Sequence, residues 1–231
     1  MIFLHGMVAS PGNFLAPIEA LLARGVPVRA PAYGHRGTAG IEECLDELIG
    51  PLSVIVQQCG QIDIVGHSLG GLLGLKLAHR LGDGAVRTLV GLGTPWRGIP
   101  EPAGVPRAAA KMMHKPLGWT VGRSMVDLMC QELRALPPIP EGLKVVAVVS
   151  PGDTVVPPVS ADPTLASRDQ IEGYEPPAEP IIHVEGHEMR QVPEDLSPKD
   201  CRGVQVAYLD QPVPHAQLPT QAGAILTALG R

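Results

Sequence analysis

Ser68, Asp153 and His215 are the residues of this chain whose types and order can support nucleophilic chemistry. A serine hydroxyl is a weak nucleophile at neutral pH. It needs a base to take its proton, and the base needs a partner that fixes its tautomer and stabilises its charged form. Ser68 sits at the centre of Gly66-His67-Ser68-Leu69-Gly70. An apolar run, Ile62 to Val65 broken by Asp63, precedes it. Apolar residues at Leu69, Leu72, Leu73, Leu75, Leu77 and Ala78 follow at helical spacing. A serine at the apex of a strand, a tight turn and a helix is a nucleophile elbow. The two glycines have a steric reason, because the strand and helix pass too close for side chains two residues either side of the serine. The pentapeptide alone also fits an ordinary loop; the strand before it and the helix after it favour the elbow. The helix behind Ser68 would also point its first N–H groups at an oxyanion formed there.

In a parallel α/β sheet the loops at the carboxyl ends of the strands meet along one edge. The acid and the base are therefore sought just after later strands, in the order serine, acid, histidine. Asp153 follows the apolar strand Val145–Val149 in Gly152-Asp153-Thr154-Val155-Val156-Pro157. Its simpler reading is a turn aspartate, and Asp162 is the alternative acid. Three histidines follow Asp153: His183, His187 and His215. His215 lies between the last strand and the last helix, where a returning loop would overhang Ser68. His187 follows the short run Ile181-Ile182 and is the alternative base. His183 and His187, with Glu185 and Glu188, match no dependable metal-ligand pattern, so no metal is expected and 181–187 reads as a surface loop. The oxyanion hole needs two backbone N–H groups. Leu69, right after the serine, and Met7, in the loop after the first strand, are the candidates. His5 is expected to bond its own loop, and His67 and His79 to be satisfied helix or core-edge residues.

The elements that must position these groups are legible in order. Ile2-Phe3-Leu4 begins a strand. Asn13 caps a helix through Arg24, and Val26 to Ala30 is a second strand. Ile41 to Gln58 is a helix containing Pro51, which is expected to kink it. Val86 to Leu92, Val145 to Val149 and Val204 to Leu209 are strands, and Thr220 to Leu229 is the final helix. Apolar strands alternating with helices predict an α/β fold, with a mostly parallel sheet of about six strands and helices on both faces. The 231 residues fit a single domain. Residues 96–142 read as a cap-like or lid-like insertion within it. A helix from Ser124 to Leu136 is predicted there, opened by Ser124-x-x-Asp127. Four of the seven methionines, Met112, Met113, Met125 and Met129, fall in this segment. It leaves the sheet beside Trp96, on the edge that carries Ser68. Trp96, Met125 and Met129 are thus candidates for contact with an acyl chain, the alternative being that the methionines pack onto the sheet edge. Residues 154–203 read as a long excursion without periodicity.

Composition narrows the function. The net charge is -5, and no lysine/arginine block forms a phosphate-tracking patch, so no nucleic-acid partner is expected. No run of about 18 apolar residues is present, which predicts no transmembrane segment. No signal peptide is visible, so the expected location is the cytoplasm, or outside the cell if a leader was removed. The start within a strand implies missing outer strands or an upstream beginning. The cysteines, Cys44, Cys59, Cys130 and Cys201, form no CxxC pair. Cys44 and Cys59 share one helix about 22 Å apart and cannot pair; Cys130 with Cys201 stays open.

The phrases FLHGM, IVGHSLGG, GLGTPWRG and GDTVVPPVSA, spanning residues 3 to 160, resemble the α/β-hydrolase fold and, within it, bacterial lipases and esterases. The acid turn GDTVVP is also similar to that of lecithin:cholesterol acyltransferase-like lipases. The resemblance implies a serine carboxylic-ester hydrolase that needs no cofactor and takes a small-molecule ester or a lipid, with Ser68, Asp153 and His215 as its triad. An acyltransferase or thioesterase with the same triad, or a non-catalytic binding protein on the same fold, are the alternatives. The chain departs from the family in its short N-terminus and in the excursion 158–203.

Overall fold

The computed structural model describes residues 1–96, 98, 122–130, 138–163, 181–184, 187–190 and 204–231. Side chains in the last two short strands and at positions 126, 129 and 130 lie outside that description. The strands are β1 (Ile2–Leu4), β2 (Ile62–His67), β3 (Val86–Leu92), β4 (Lys144–Val149), β5 (Ile181–Val184), β6 (His187–Arg190) and β7 (Val204–Leu209). The helices used below are α1 (Leu15–Leu22), α2 (Ile41–Cys59), α3 (Leu69–Leu81), α4 (Arg123–Cys130) and α5 (Ala222–Ala228).

All seven strands form one sheet in the order β1-β2-β3-β4-β7-β6-β5. The five strands β1, β2, β3, β4 and β7 are parallel. Alternation of side chains along each strand feeds two cores. Ile2, Leu4, Ile64, Val145 and Ala147 join α2 and α3 on one face. Phe3, Val65, Val90, Val146 and Val148 join α1 and α5 on the other. Asp63 is buried in β2 because it is paired: Arg87 on β3 grips both carboxylate oxygens, at 2.9 and 2.6 Å.

Several boundaries differ from the sequence reading. Val26–Ala30 contributes one bridge, Ile2 to Arg29, instead of a full strand. The excursion after the acid turn contains the hairpin β5–β6, added antiparallel to the edge strand β7. So 181–184 and 187–190 are sheet residues, not a surface loop. No signal other than short apolar runs announced them. Helix α2 continues through Pro51. Ser124 and Asp127 do not cap their own helix. Ser124 Oγ donates to the Gly37 carbonyl at 2.6 Å, and Asp127 Oδ2 accepts the Ile41 N–H at 2.9 Å, capping α2. A capping-box pattern reads the same whichever helix it serves. Residues 131–137, which complete the expected Ser124–Leu136 helix, lie outside the described residues, as do most of 96–142 and Cys201. Cys44 is buried and free, and Cys59 is exposed and free. Among the described residues no helix is long and apolar enough to cross a membrane.

Candidate active site

Ser68 sits between β2 and α3 with φ 53° and ψ −120°, a conformation that L residues avoid. The turn is this tight because both flanking glycines are in contact with backbone. A Cβ on Gly66 would lie 2.4 Å from Gly70 backbone atoms, and one on Gly70 would lie 2.1 Å from the Leu4 carbonyl oxygen. The Ser68 N–H donates to Leu92 O at 2.9 Å, which ties the elbow to the end of β3.

The acid and the histidine converge there from two other strands. His215 Nδ1 lies 2.6 Å from Asp153 Oδ2. The carboxylate accepts, so Nδ1 carries the proton and Nε2 presents a lone pair. Asp153 is 3% exposed, and its other oxygen accepts the N–H groups of Val155 and Val156 at 2.9 and 2.8 Å. Those bonds satisfy the buried charge and hold the carboxylate in one orientation. The next residue after Leu92 closes the arrangement. Gly93 has φ +51°, and a Cβ there would lie 2.7 Å from Asp153 Oδ2 and 3.1 Å from His215 Nδ1. The end of β3 thus touches both the elbow and the acid–histidine pair. Ser68 Oγ and the His215 ring share no hydrogen bond in this structure, and such contacts commonly tighten only when substrate binds.

Two residues without a site role in the sequence reading, Ser150 and His67, contact the loop that carries His215. Ser150 Oγ donates to Val213 O at 2.7 Å and accepts Val213 N–H at 2.9 Å. This staples the acid turn to the loop that delivers His215. Ser-Pro-Gly-Asp carries no sign of this, because the partner lies 63 residues away. His67 was expected to be fully satisfied. It is the buried last residue of β2, and its Nδ1 has no partner. Burial, and then the neighbouring His215, push its pKa down to about 3.

His67 has its folded pKa depressed from 6.5 to about 3. Below pH 6.5 the unfolded chain therefore binds a proton that the folded chain refuses. Its contribution to stability is complete above pH 6.5 and is lost as pH falls towards 3, at about 1.4 kcal/mol per pH unit. Urea unfolding at pH 7 and pH 5 should show wild type losing about 2 kcal/mol more than His67→Gln. Equal losses in the two proteins would contradict this account.

The loop after β1 lies over the elbow. A Cβ on Gly6 would be 3.1 Å from Ser68 Cβ. His5 Nδ1–H donates to Gly6 O at 2.8 Å, the loop role expected for it. Its ring stacks on Tyr33, with centroids 4.2 Å apart and planes 9° apart, and the Tyr33 hydroxyl donates to His5 O. Arg36 donates to Val8 O at 2.7 Å. Met7 follows Gly6 in this loop and is half-buried, while Leu69 is buried at the first position of α3.

The remaining expected site residues have the following surroundings. Trp96, placed by the sequence reading at a substrate surface, is fully buried in the core, and its ring packs over Gly91. A Thr-Pro-Trp phrase at a strand end does not reveal that the indole folds back beneath the strand. Met125 is half-buried on α4; the side chain of Met129 lies outside the described residues. Asp162, the alternative acid, is buried and accepts the Tyr208 hydroxyl at 2.6 Å. His187, the alternative base, begins β6, paired with Leu209. Among the described residues no cluster of three or more His, Cys, Asp or Glu side chains is able to hold a metal ion.

Known proteins share this fold. The chain is similar in structure to a monoacylglycerol lipase from Paleococcus ferrophilus (19% identity, TM-score 0.52, covering 69% of this chain and 76% of that one). It is also similar to an N-formylmaleamic acid deformylase from Pseudomonas putida (13%, TM-score 0.55, covering 99% and 90%). A hydrolase from Pseudomonas aeruginosa matches too (15%, TM-score 0.61, covering 100% and 89%). At these identities the likeness is one of fold. No curated protein matches the chain. The sequence profile of the alpha/beta hydrolase family matches residues 1–219, so this chain belongs to the alpha/beta hydrolase family.

Proposed function

We propose that the protein is a serine-dependent carboxylic-ester hydrolase acting on lipid-like or small acyl esters. The observation that carries this reading is the 2.6 Å contact between His215 and buried Asp153, on the sheet edge where strained Ser68 stands. His215 Nε2 takes the Ser68 proton as Oγ attacks the ester carbonyl carbon. The tetrahedral oxyanion is held by the N–H groups of Met7 and Leu69. In a trans peptide the C=O and the following N–H point opposite ways. The His5 bond to Gly6 O therefore aims the Met7 N–H. The leaving alcohol takes the proton back from His215. Water then repeats the sequence, releasing the acid and regenerating Ser68.

The same three residues can also serve acyl transfer and thioester or amide hydrolysis, since a fold does not choose a substrate. A series of p-nitrophenyl esters of increasing chain length, with and without an added acceptor alcohol, tests the reading. Hydrolysis without transfer supports it. Turnover only on transfer to the alcohol, or none on any ester, would replace it.

The acyl chain is proposed to run against the 96–142 segment, in the neighbourhood of Met125 and Met129. Helix α4, which carries Met125, is anchored to the structure by Ser124, Asp127 and buried Leu128. Replacing both Met125 and Met129 with Phe should shift preference towards shorter chains, by about 10-fold or more per excluded step. Ser68 should still react with a small phosphonate. An unchanged chain-length profile in a stable double variant would reduce these methionines to packing.

A further inference from the structure

The elbow and the histidine loop are far apart in the sheet. Strands β2 and β7 are separated by β3 and β4. Three steps of about 4.8 Å place their axes about 14 Å apart. The loop after β7 must cross that distance to bring His215 to Ser68. Asp153, after β4, holds His215 from the β7 side. A second contact holds it from the β2 side.

That contact is His67, the residue before Ser68. Its Nε2 lies 3.1 Å from the main-chain oxygen of His215, 148 residues away. A carbonyl oxygen only accepts, so Nε2 carries the proton and Nδ1 the lone pair. The two imidazole rings also touch, with centroids 4.5 Å apart and planes tilted by 42°. On its other side His67 is backed by the loop after β1, where a Cβ on Gly6 would lie 3.0 Å from Nδ1. The ring is therefore boxed between the Gly6 loop and the His215 loop, and its backbone belongs to β2.

We propose that His67 is a positioning residue: a rigid strut that sets the distance between His215 and Ser68 by holding the His215 carbonyl from the end of β2. This rests on the ester-hydrolase reading of Ser68 and His215. Neutrality suits the role. A second cation would repel the imidazolium that His215 becomes during turnover, and burial keeps His67 uncharged. Glutamine keeps a donor at the position of Nε2, whereas phenylalanine keeps a planar ring and loses the donor. A shift of about 1 Å in a catalytic group costs up to about 100-fold in rate.

The test compares wild type, His67→Gln and His67→Phe, with kcat expressed per site titrated by a fluorophosphonate. His67→Phe should lose about 10- to 100-fold in kcat with KM changed by less than about threefold, and His67→Gln should stay within about threefold of wild type. The downfield proton resonance of the His215–Asp153 hydrogen bond should persist in wild type and His67→Gln and broaden in His67→Phe. If the phenylalanine chain does not fold, His67→Leu takes its place with the same expectation. Wild-type labelling at Ser68 is read first, and its absence overturns the ester-hydrolase reading itself. Normal labelling, with unchanged kcat per site and an unchanged downfield proton in the donor-less variant, overturns the strut alone. A variant that only lowers the titrated fraction, leaving turnover per site intact, does the same.

Discussion

Ser68→Ala should lower kcat by about 10⁴- to 10⁶-fold while the chain still folds. The size of the effect comes from the proposed chemistry. Without Oγ there is no acyl-enzyme, and what remains is water attack helped by the oxyanion donors. The fold should survive because the elbow is held by other groups: the Ser68 N–H on Leu92 O, and the close glycine contacts with Gly70 and Leu4. Ser68 is half-buried, and alanine removes one oxygen and adds no bulk. A fluorophosphonate should label wild type at Ser68 and leave the variant unmodified. Labelling of Ser68→Ala at the normal rate would end the assignment.

His215→Ala should be as damaging as Ser68→Ala, because residues that act as a unit fail as a unit. It also strands Asp153. That carboxylate is buried, and loses its only hydrogen-bonded side-chain partner among the described residues, Nδ1 of His215 at 2.6 Å. A modest fall in melting temperature should therefore accompany the loss of activity. Asp153→Asn should cost less in kcat than His215→Ala, about 10⁴-fold, since the base remains but in the wrong tautomer. His187→Ala should keep most of the activity. Turnover profiles of the three variants at matched concentration decide the matter. Severe loss in His187→Ala with an active His215→Ala would move the base to the head of β6.

What the sequence by itself determined was local. The G-x-S-x-G turn is readable because its glycines answer a steric demand made within five residues. Val86–Leu92 and Val204–Leu209 were legible to the residue because apolar residues dominate each stretch, interrupted only by Arg87-Thr88 in the first and Gln205 in the second. The order serine, acid, histidine along the chain was likewise open to inspection. The tertiary structure decided whatever depends on partners distant in sequence. It placed His215 beside Asp153, 62 residues away. It turned Trp96 inward over Gly91, and sent the Asp127 carboxylate to cap the helix beginning at Ile41. It added β5–β6 to the sheet edge, where the four-residue strands are stabilised by hydrogen bonds to a neighbour and not by a pattern of their own. His67 shows the difference most sharply. In sequence it is the variable position of a common motif. Only when β2 and the loop after β7 meet does its Nε2–H find the His215 carbonyl. Periodicity and turn chemistry report the backbone's local choices; a hydrogen bond between two loops is settled by how far the sheet carries each of them.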